Sequence, residues 1–146
     1  MENNMTVKQL SVFIENRQGR LGDVLHILKE NNVNILSISL ADTTEYGLLR
    51  LIVNDPERGC KVLLEAGFSS MLTDVVIIKI PHVAGALQSI LSLITEKGIN
   101  IEYMYGLSVE AENASIVMKT NELKEAIEVL KTAKIGTMTP AEISVL

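Results

Sequence analysis

Two short stretches hold the residues best suited to grip a small zwitterion: Glu15-Asn16-Arg17-Gln18-Gly19-Arg20-Leu21 and Pro81-His82-Val83-Ala84-Gly85-Ala86-Leu87. In each, a glycine opens a segment whose apolar residues recur at helical spacing. Gly19-Arg20-Leu21 and Gly85-Ala86-Leu87 therefore present backbone N–H groups at a helix N-terminus, a natural receptor for a carboxylate. A free amino acid carries that carboxylate and an ammonium on one carbon. An asparagine amide offers an acceptor and donors together, so Asn34 or Asn100, each at the start of a strand, can accept from the ammonium and donate to the carboxylate. Asn16 or His82 would then face the ligand side chain. The candidate ligand-binding set is Asn16, Gly19, Arg20, Leu21, Asn34, His82, Gly85, Ala86, Leu87 and Asn100.

Each of these has a plainer reading. Gly19 and Gly85 could do no more than permit a positive φ, and Asn34 and Asn100 could do no more than satisfy turn backbone groups. His82 could be an ordinary loop residue. Arg17 and Arg20 are either anion contacts or surface charge. His26 falls on a polar helix face, and Cys60 falls on a buried helix stripe, where it reads as core. Tyr103 and Tyr105 read as packing residues.

The elements that must position these groups occur twice. Gly19 and Gly85, Leu21 and Leu87, Leu25 and Leu91, Glu30 and Glu96, Asn34 and Asn100, and Ile35 and Ile101 are all separated by 66 positions. Further along the offset becomes 67, pairing Leu51 with Met118, Cys60 with Ile127, Leu63 with Leu130 and Ala66 with Ala133. A single inserted residue in a hairpin accounts for the slip. A repeat of half the chain length divides it into domains 1–73 and 74–146.

Within the first repeat, Val7 to Ile14 alternates as a strand, with Leu10, Val12 and Ile14 on one face. Leu21, Val24, Leu25 and Leu28 then mark a helix, which stops at Asn31-Asn32, a site suited to a left-handed cap. Val33 to Ala41 and Tyr46 to Val53 are strands around a polar hairpin at 42–45. Asp55-Pro56 opens a second helix that ends at Gly67, and Phe68 to Leu72 is a fourth strand. The second repeat follows the same order, with Gly98 at the cap and Leu123, Ala126, Ile127 and Leu130 as the last buried stripe. Thr139-Pro140-Ala141-Glu142 has the form of a capping box for one more helical turn. The fold class is α+β: two ferredoxin-like βαββαβ units, each an antiparallel four-stranded sheet with helices on one face.

Composition removes several functions. A net charge of −5 and 3% aromatic residues argue against a nucleic-acid partner, which would need basic charge and stacking rings. No apolar run reaches the ~20 residues of a membrane span, and Met1-Glu2-Asn3-Asn4 lacks the pattern of a signal peptide, so a cytoplasmic location is expected. One cysteine rules out an internal disulfide and a multi-cysteine metal cluster; a metal chaperone would want paired cysteines where Gln18 and Gly19 stand. No acid/base pair, activated nucleophile or phosphate loop emerges, so no catalytic residue, metal site or cofactor is assigned and the chain is read as a non-enzyme.

The run Ile14-Glu15-Asn16-Arg17-Gln18-Gly19-Arg20-Leu21, its amphipathic helix and Asn32-Val33-Asn34-Ile35 resemble the ACT domain, the amino-acid-sensing module of metabolic enzymes. The likeness is greatest to the serine-binding regulatory domain of phosphoglycerate dehydrogenases, and it covers both repeats. The resemblance implies a non-catalytic sensor that binds a free amino acid at domain interfaces, where the loop of one unit meets the second-strand region of a neighbour. Ile14 and Ile80 stand where serine-binding relatives have a histidine, so the resemblance implies an amino acid without naming which. The alternative is a ligand-free structural or regulatory subunit of a separately encoded metabolic enzyme.

A homo-oligomer, most simply a dimer, is expected from strand register. Uninterrupted alternation places Ile35, Ser37 and Ser39 under the helices, and in the second repeat Ile101, Tyr103 and Tyr105. Leu36, Ile38 and Leu40 would then lie on the face away from the helices, where leaving them in water is costly.

Overall fold

The computed structural model describes residues 5–42 and 45–145; residues 43 and 44 of the expected hairpin at 42–45 lie outside the described residues. The elements follow the anticipated order twice. They are β1 (Val7–Glu15), α1 (Arg20–Glu30), β2 (Ile35–Asp42), β3 (Tyr46–Val53), α2 (Pro56–Glu65), β4 (Ser69–Pro81), α3 (Ala86–Glu96), β5 (Ile101–Val109), β6 (Asn113–Thr120), α4 (Leu123–Thr132), β7 (Gly136–Thr137) and α5 (Pro140–Ser144). The strand expected at 68–72 runs on without a break into the first strand of the second repeat, as one strand, β4. The chain folds as two compact units: Lys8–Thr73 with the described residues from Ala141 on, and Asp74–Pro140 with the described residues up to Val7. The first unit has the strand order β2-β3-β1-β4 and the second has β5-β6-β4-β7, the ferredoxin-like order in both.

Local chemistry explains the boundaries. Asp55 caps α2 by accepting from the Arg58 N–H at 3.2 Å, and Pro56 occupies the first helical position, where no N–H is needed. After α1 the chain turns through Asn32 with φ 57°, and after α3 it turns through Gly98 with φ 75°, the left-handed caps expected at both places. Each unit then packs one apolar layer between sheet and helices. In the first, Leu10, Val12 and Ile14 of β1 meet Val24 and Leu28 of α1, Leu49, Leu51 and Val53 of β3, and Leu63 of α2. In the second, Val76, Ile78 and Ile80 meet Ile90 and Ile94, Met118, and Ala126 and Leu130. The offsets of 66 and 67 read from the sequence thus pair core position with core position.

The register of β2 and β5 corrects the sequence-based expectation. Ile35 pairs with Val53, but Ser37 pairs with Ile52, so Leu36 is an extra residue in a β-bulge. Every later side chain on β2 changes face. Ile38 and Leu40 sit opposite Leu51 and Leu49, on the helix side, while Ser37 and Ser39 turn to the far face. The same bulge recurs 66 residues later: Ile101 pairs with Thr120 and Tyr103 with Lys119, placing Tyr103 and Tyr105 away from the helices and Met104 opposite Met118. The face opposite the helices therefore does not carry Ile38 and Leu40, and the dimer argument built on the three residues together loses its premise. Ile52, Val75, Ile77 and Val117 of that face are buried within the single chain. Ile38 and Leu40 remain 46% and 49% exposed because β2 is the outer strand of its unit.

A second asparagine organises the start of β2 and β5. Asn54 Oδ1 accepts from the Asn34 N–H at 2.8 Å, and the Asn54 N–H donates to the Asn34 carbonyl at 3.1 Å. Asn121 repeats this clasp on Asn100, at 3.0 Å and 3.1 Å. Replacing Asn54 or Asn121 with alanine is expected to lower unfolding free energy by about 0.5–1.5 kcal/mol each, measured by urea titration. Thr120 gives the opposite expectation. It is fully buried with its Oγ1 lacking a hydrogen-bond partner among the described residues, at the position that Val53 fills in the first unit. Thr120→Val removes an unsatisfied hydroxyl at nearly constant shape and is expected to raise stability by about 1 kcal/mol in the same titration.

Candidate functional site

The loop between β1 and α1 is held at both ends. The Asn16 N–H donates to the Glu45 carbonyl at 2.9 Å, tying the loop to the far end of the β2–β3 hairpin. Gly19, with φ 89°, turns the chain into α1 in a conformation that side chains disfavour. The Arg20 N–H reaches back to the Arg17 carbonyl at 3.4 Å, whereas the amides of Leu21 and Gly22 find no acceptor among the described residues. The second unit is built alike. The His82 N–H donates to the Glu112 carbonyl at 2.8 Å, Gly85 has φ 85°, and the Ala86 N–H reaches the Val83 carbonyl at 3.2 Å.

A cavity of about 370 Å³ opens beside the first loop, lined by Ile14, Glu15, Asn16, Arg17, Leu21, Leu40 and Gly47. Of the candidate residues, Asn16 and Leu21 meet here. Glu15, the last residue of β1, and Arg17 in the loop form an exposed ion pair at 2.8 Å on its rim. Leu40 reaches this wall because the bulge at Leu36 turned it to the helix side. A Cβ at Gly47 would stand 3.2 Å from both Ile14 Cγ1 and Leu40 Cδ1, so the absence of a side chain there lets these two wall residues pack closely over β3. Glycine inside a strand is the sequence signal for such close approach, and it was legible in Tyr46 to Val53. Glu15, Leu40 and Gly47 are lining residues that the sequence reading did not select.

The other candidates lie elsewhere. Arg20 is laid over the Phe68 ring, its guanidinium carbon 4.4 Å from the ring centroid, and it donates to Asp23 Oδ2 at 3.1 Å. His82 Nδ1 lies 3.1 Å from the Glu110 carbonyl, to which the Nδ1–H tautomer donates, so its ring is engaged with the β5–β6 hairpin. Leu87 packs on the second core. Asn34 and Asn100 stand at the opposite end of their unit from the glycine loops. The 11 residues of α1 alone rise about 16 Å between Gly19 and Asn34, so one unit does not bring loop and asparagine together. A larger groove of about 620 Å³ between α3 and α4, floored by Leu93, Ile99 and Val129, contains none of the candidate residues.

The remaining chemistry is quiet. Burial pushes the Cys60 thiol up from its ordinary value, which keeps it protonated and poorly nucleophilic among the core residues it packs against. Among the described residues no group of histidine, cysteine, aspartate and glutamate could hold a metal ion. No described helix is long and apolar enough to cross a membrane.

Known proteins place this architecture. Protein BT0572 from Bacteroides thetaiotaomicron has a crystal structure that matches with a TM-score of 0.93 at 37% identity, over 99% of each chain. The ligand-free regulatory subunit of aspartate kinase from Thermus thermophilus matches with a TM-score of 0.63 at 16% identity, over 86% of this chain and 91% of that one, a likeness of fold. A search of curated protein sequences finds no match. The family model described as an ACT domain pair spans residues 5–146, and with the duplicated βαββαβ units and glycine-opened helices it shows that this chain belongs to the ACT domain pair family.

Proposed function

We propose that this ACT domain pair is a non-catalytic regulatory protein that binds a free α-amino acid at its glycine-opened loops. The observation that carries this reading is the cavity beside the first loop. A carboxylate and a guanidinium stand on its rim, and unpartnered amides begin α1 beside it. Those are the complements of an ammonium and a carboxylate on one carbon. Asn34 and Asn100, remote from the loop of their own unit, would serve a loop of a neighbouring unit, which makes ligand binding a means of biasing how domains dock. A cytoplasmic homodimer meeting along β2, whose Ile38 and Leu40 are half-exposed, suits that arrangement. The reading as a regulatory subunit of a separately encoded enzyme draws support from the fold shared with the regulatory subunit of aspartate kinase from Thermus thermophilus.

A melting screen against the twenty amino acids at millimolar concentration tests the reading. A ligand at 100 times its Kd is expected to stabilise the fold by about 2.7 kcal/mol, and no shift with any of the twenty would overturn it. The chain is also expected to leave a bound amino acid unchanged on prolonged incubation, checked by mass spectrometry of the recovered ligand; turnover by pure protein would contradict the non-catalytic assignment.

A further inference from the structure

Resting on the amino-acid reading above, we propose that the first-unit cavity is the competent site of the two, and that it takes an α-amino acid with an aliphatic side chain of about leucine size, held against the wall of Ile14 and Leu40 that a glycine at position 47 lets close.

The repeat supplies its own comparison. In the first unit Glu15 and Arg17 offer an anion and a cation at the cavity mouth, both more than half exposed. The second unit has Pro81 and Val83 at those places, so no charge pair is available there, and the ring of His82 is already directed to the Glu110 carbonyl. The wall differs too. Gly47, opposite Ile14 on the ladder, corresponds to Ala114, opposite Ile80, so in the second unit a methyl stands at the place over which Ile14 and Leu40 close in the first. Leu40 corresponds to Gly106, which has no side chain, and a second register shift between Gly106 and Ser108 changes the strand beyond it.

A zwitterion can replace the Glu15–Arg17 pair at small cost, because an exposed pair contributes only about 0–1 kcal/mol. Glu15 then receives the ammonium and Arg17 the carboxylate, on the side where the Leu21 and Gly22 amides begin α1. The side chain of the ligand is left facing Ile14, Leu21 and Leu40. These side chains hold no polar atom, so a hydroxyl or carboxylate placed among them gives up its water hydrogen bonds without replacement. A space of about 370 Å³ lies within the range of roughly 300–1,000 Å³ seen for ligand pockets.

The test is isothermal titration of the full-length chain with leucine, isoleucine, valine, methionine, glycine, serine and aspartate, repeated on three variants. Leucine or a neighbour in size is expected to bind at least tenfold more tightly than glycine, serine or aspartate, at one site per chain. Gly47→Ala is expected to weaken that ligand about tenfold or more, and Arg17→Ala to weaken every amino acid alike. Val83→Ala is expected to change nothing. Should Gly47→Ala fail to fold, the ranking of ligands and the Arg17→Ala result still decide. Serine or aspartate binding as tightly as leucine, two sites per chain, or an unchanged affinity in Gly47→Ala or Arg17→Ala overturns this inference while leaving the amino-acid reading intact. No heat or shift with any amino acid overturns both.

Discussion

Leu36 is one residue more than the ladder between β2 and β3 can pair, and the arrangement at the far end of that strand follows from it. A bulge shifts the phase of every side chain after it, so Ile38 and Leu40 turn toward the helices and Ser37 and Ser39 away from them. Leu40 thereby arrives beside Ile14 and Gly47 at the mouth of the β1–α1 loop, where it forms one wall of a cavity. With an uninterrupted strand it would point from the opposite face. The duplicate bulge at Glu102 sends Tyr103 and Tyr105 to the far side, their rings nearly parallel with centroids 6.5 Å apart. In the first unit one inserted residue therefore decides which side chains meet the loop, while β5 shifts register a second time between Gly106 and Ser108.

The two units show which parts of a sequence are held by packing and which are free. Positions inside the layer correspond one to one, Leu28 with Ile94 and Leu63 with Leu130, because interiors are close-packed and a change of volume is felt by all neighbours. The loops diverge. Glu15-Asn16-Arg17 faces solvent in one unit and Pro81-His82-Val83 does so in the other, yet both loops keep the same backbone bond to the hairpin and the same left-handed glycine. The frame is constant while the chemistry mounted on it varies, as expected where rigid elements carry exposed connections.

Much of this was legible in the chain itself. The repeat, the order of elements, the helix stripes and the caps at Asn32, Gly67 and Gly98 each rest on a local signal of spacing or residue type, and local signals survive folding. The bulges were not legible, since alternation assumes a perfect ladder and a single unpaired residue leaves no mark in composition. The cavity was half legible. Asn16 and Leu21 lie next to the loop glycine in sequence, but Leu40 and Gly47 reach it only through β2–β3 pairing across the sheet. Asn54 and Asn121 recur at the second offset, but their partners lie 20 and 21 positions earlier, so the clasp exists only once the strands are paired. Arg20 was displaced from the site by an aromatic partner 48 positions further on, Phe68, a contact that exists only in three dimensions.

That contact between Arg20 and Phe68 has a bearing on entropy. The first residue of α1 is pinned by a ring beneath its guanidinium and by Asp23 along the helix, while Asn16 is bonded to the hairpin on the other side. The segment between them is thereby immobilised when the chain folds. A molecule arriving at this loop meets a surface already in shape, and little of its binding free energy is consumed in ordering backbone. Association at such a rigid mouth should be limited by encounter and the opening of one exposed ion pair, with the loop itself serving as a fixed template.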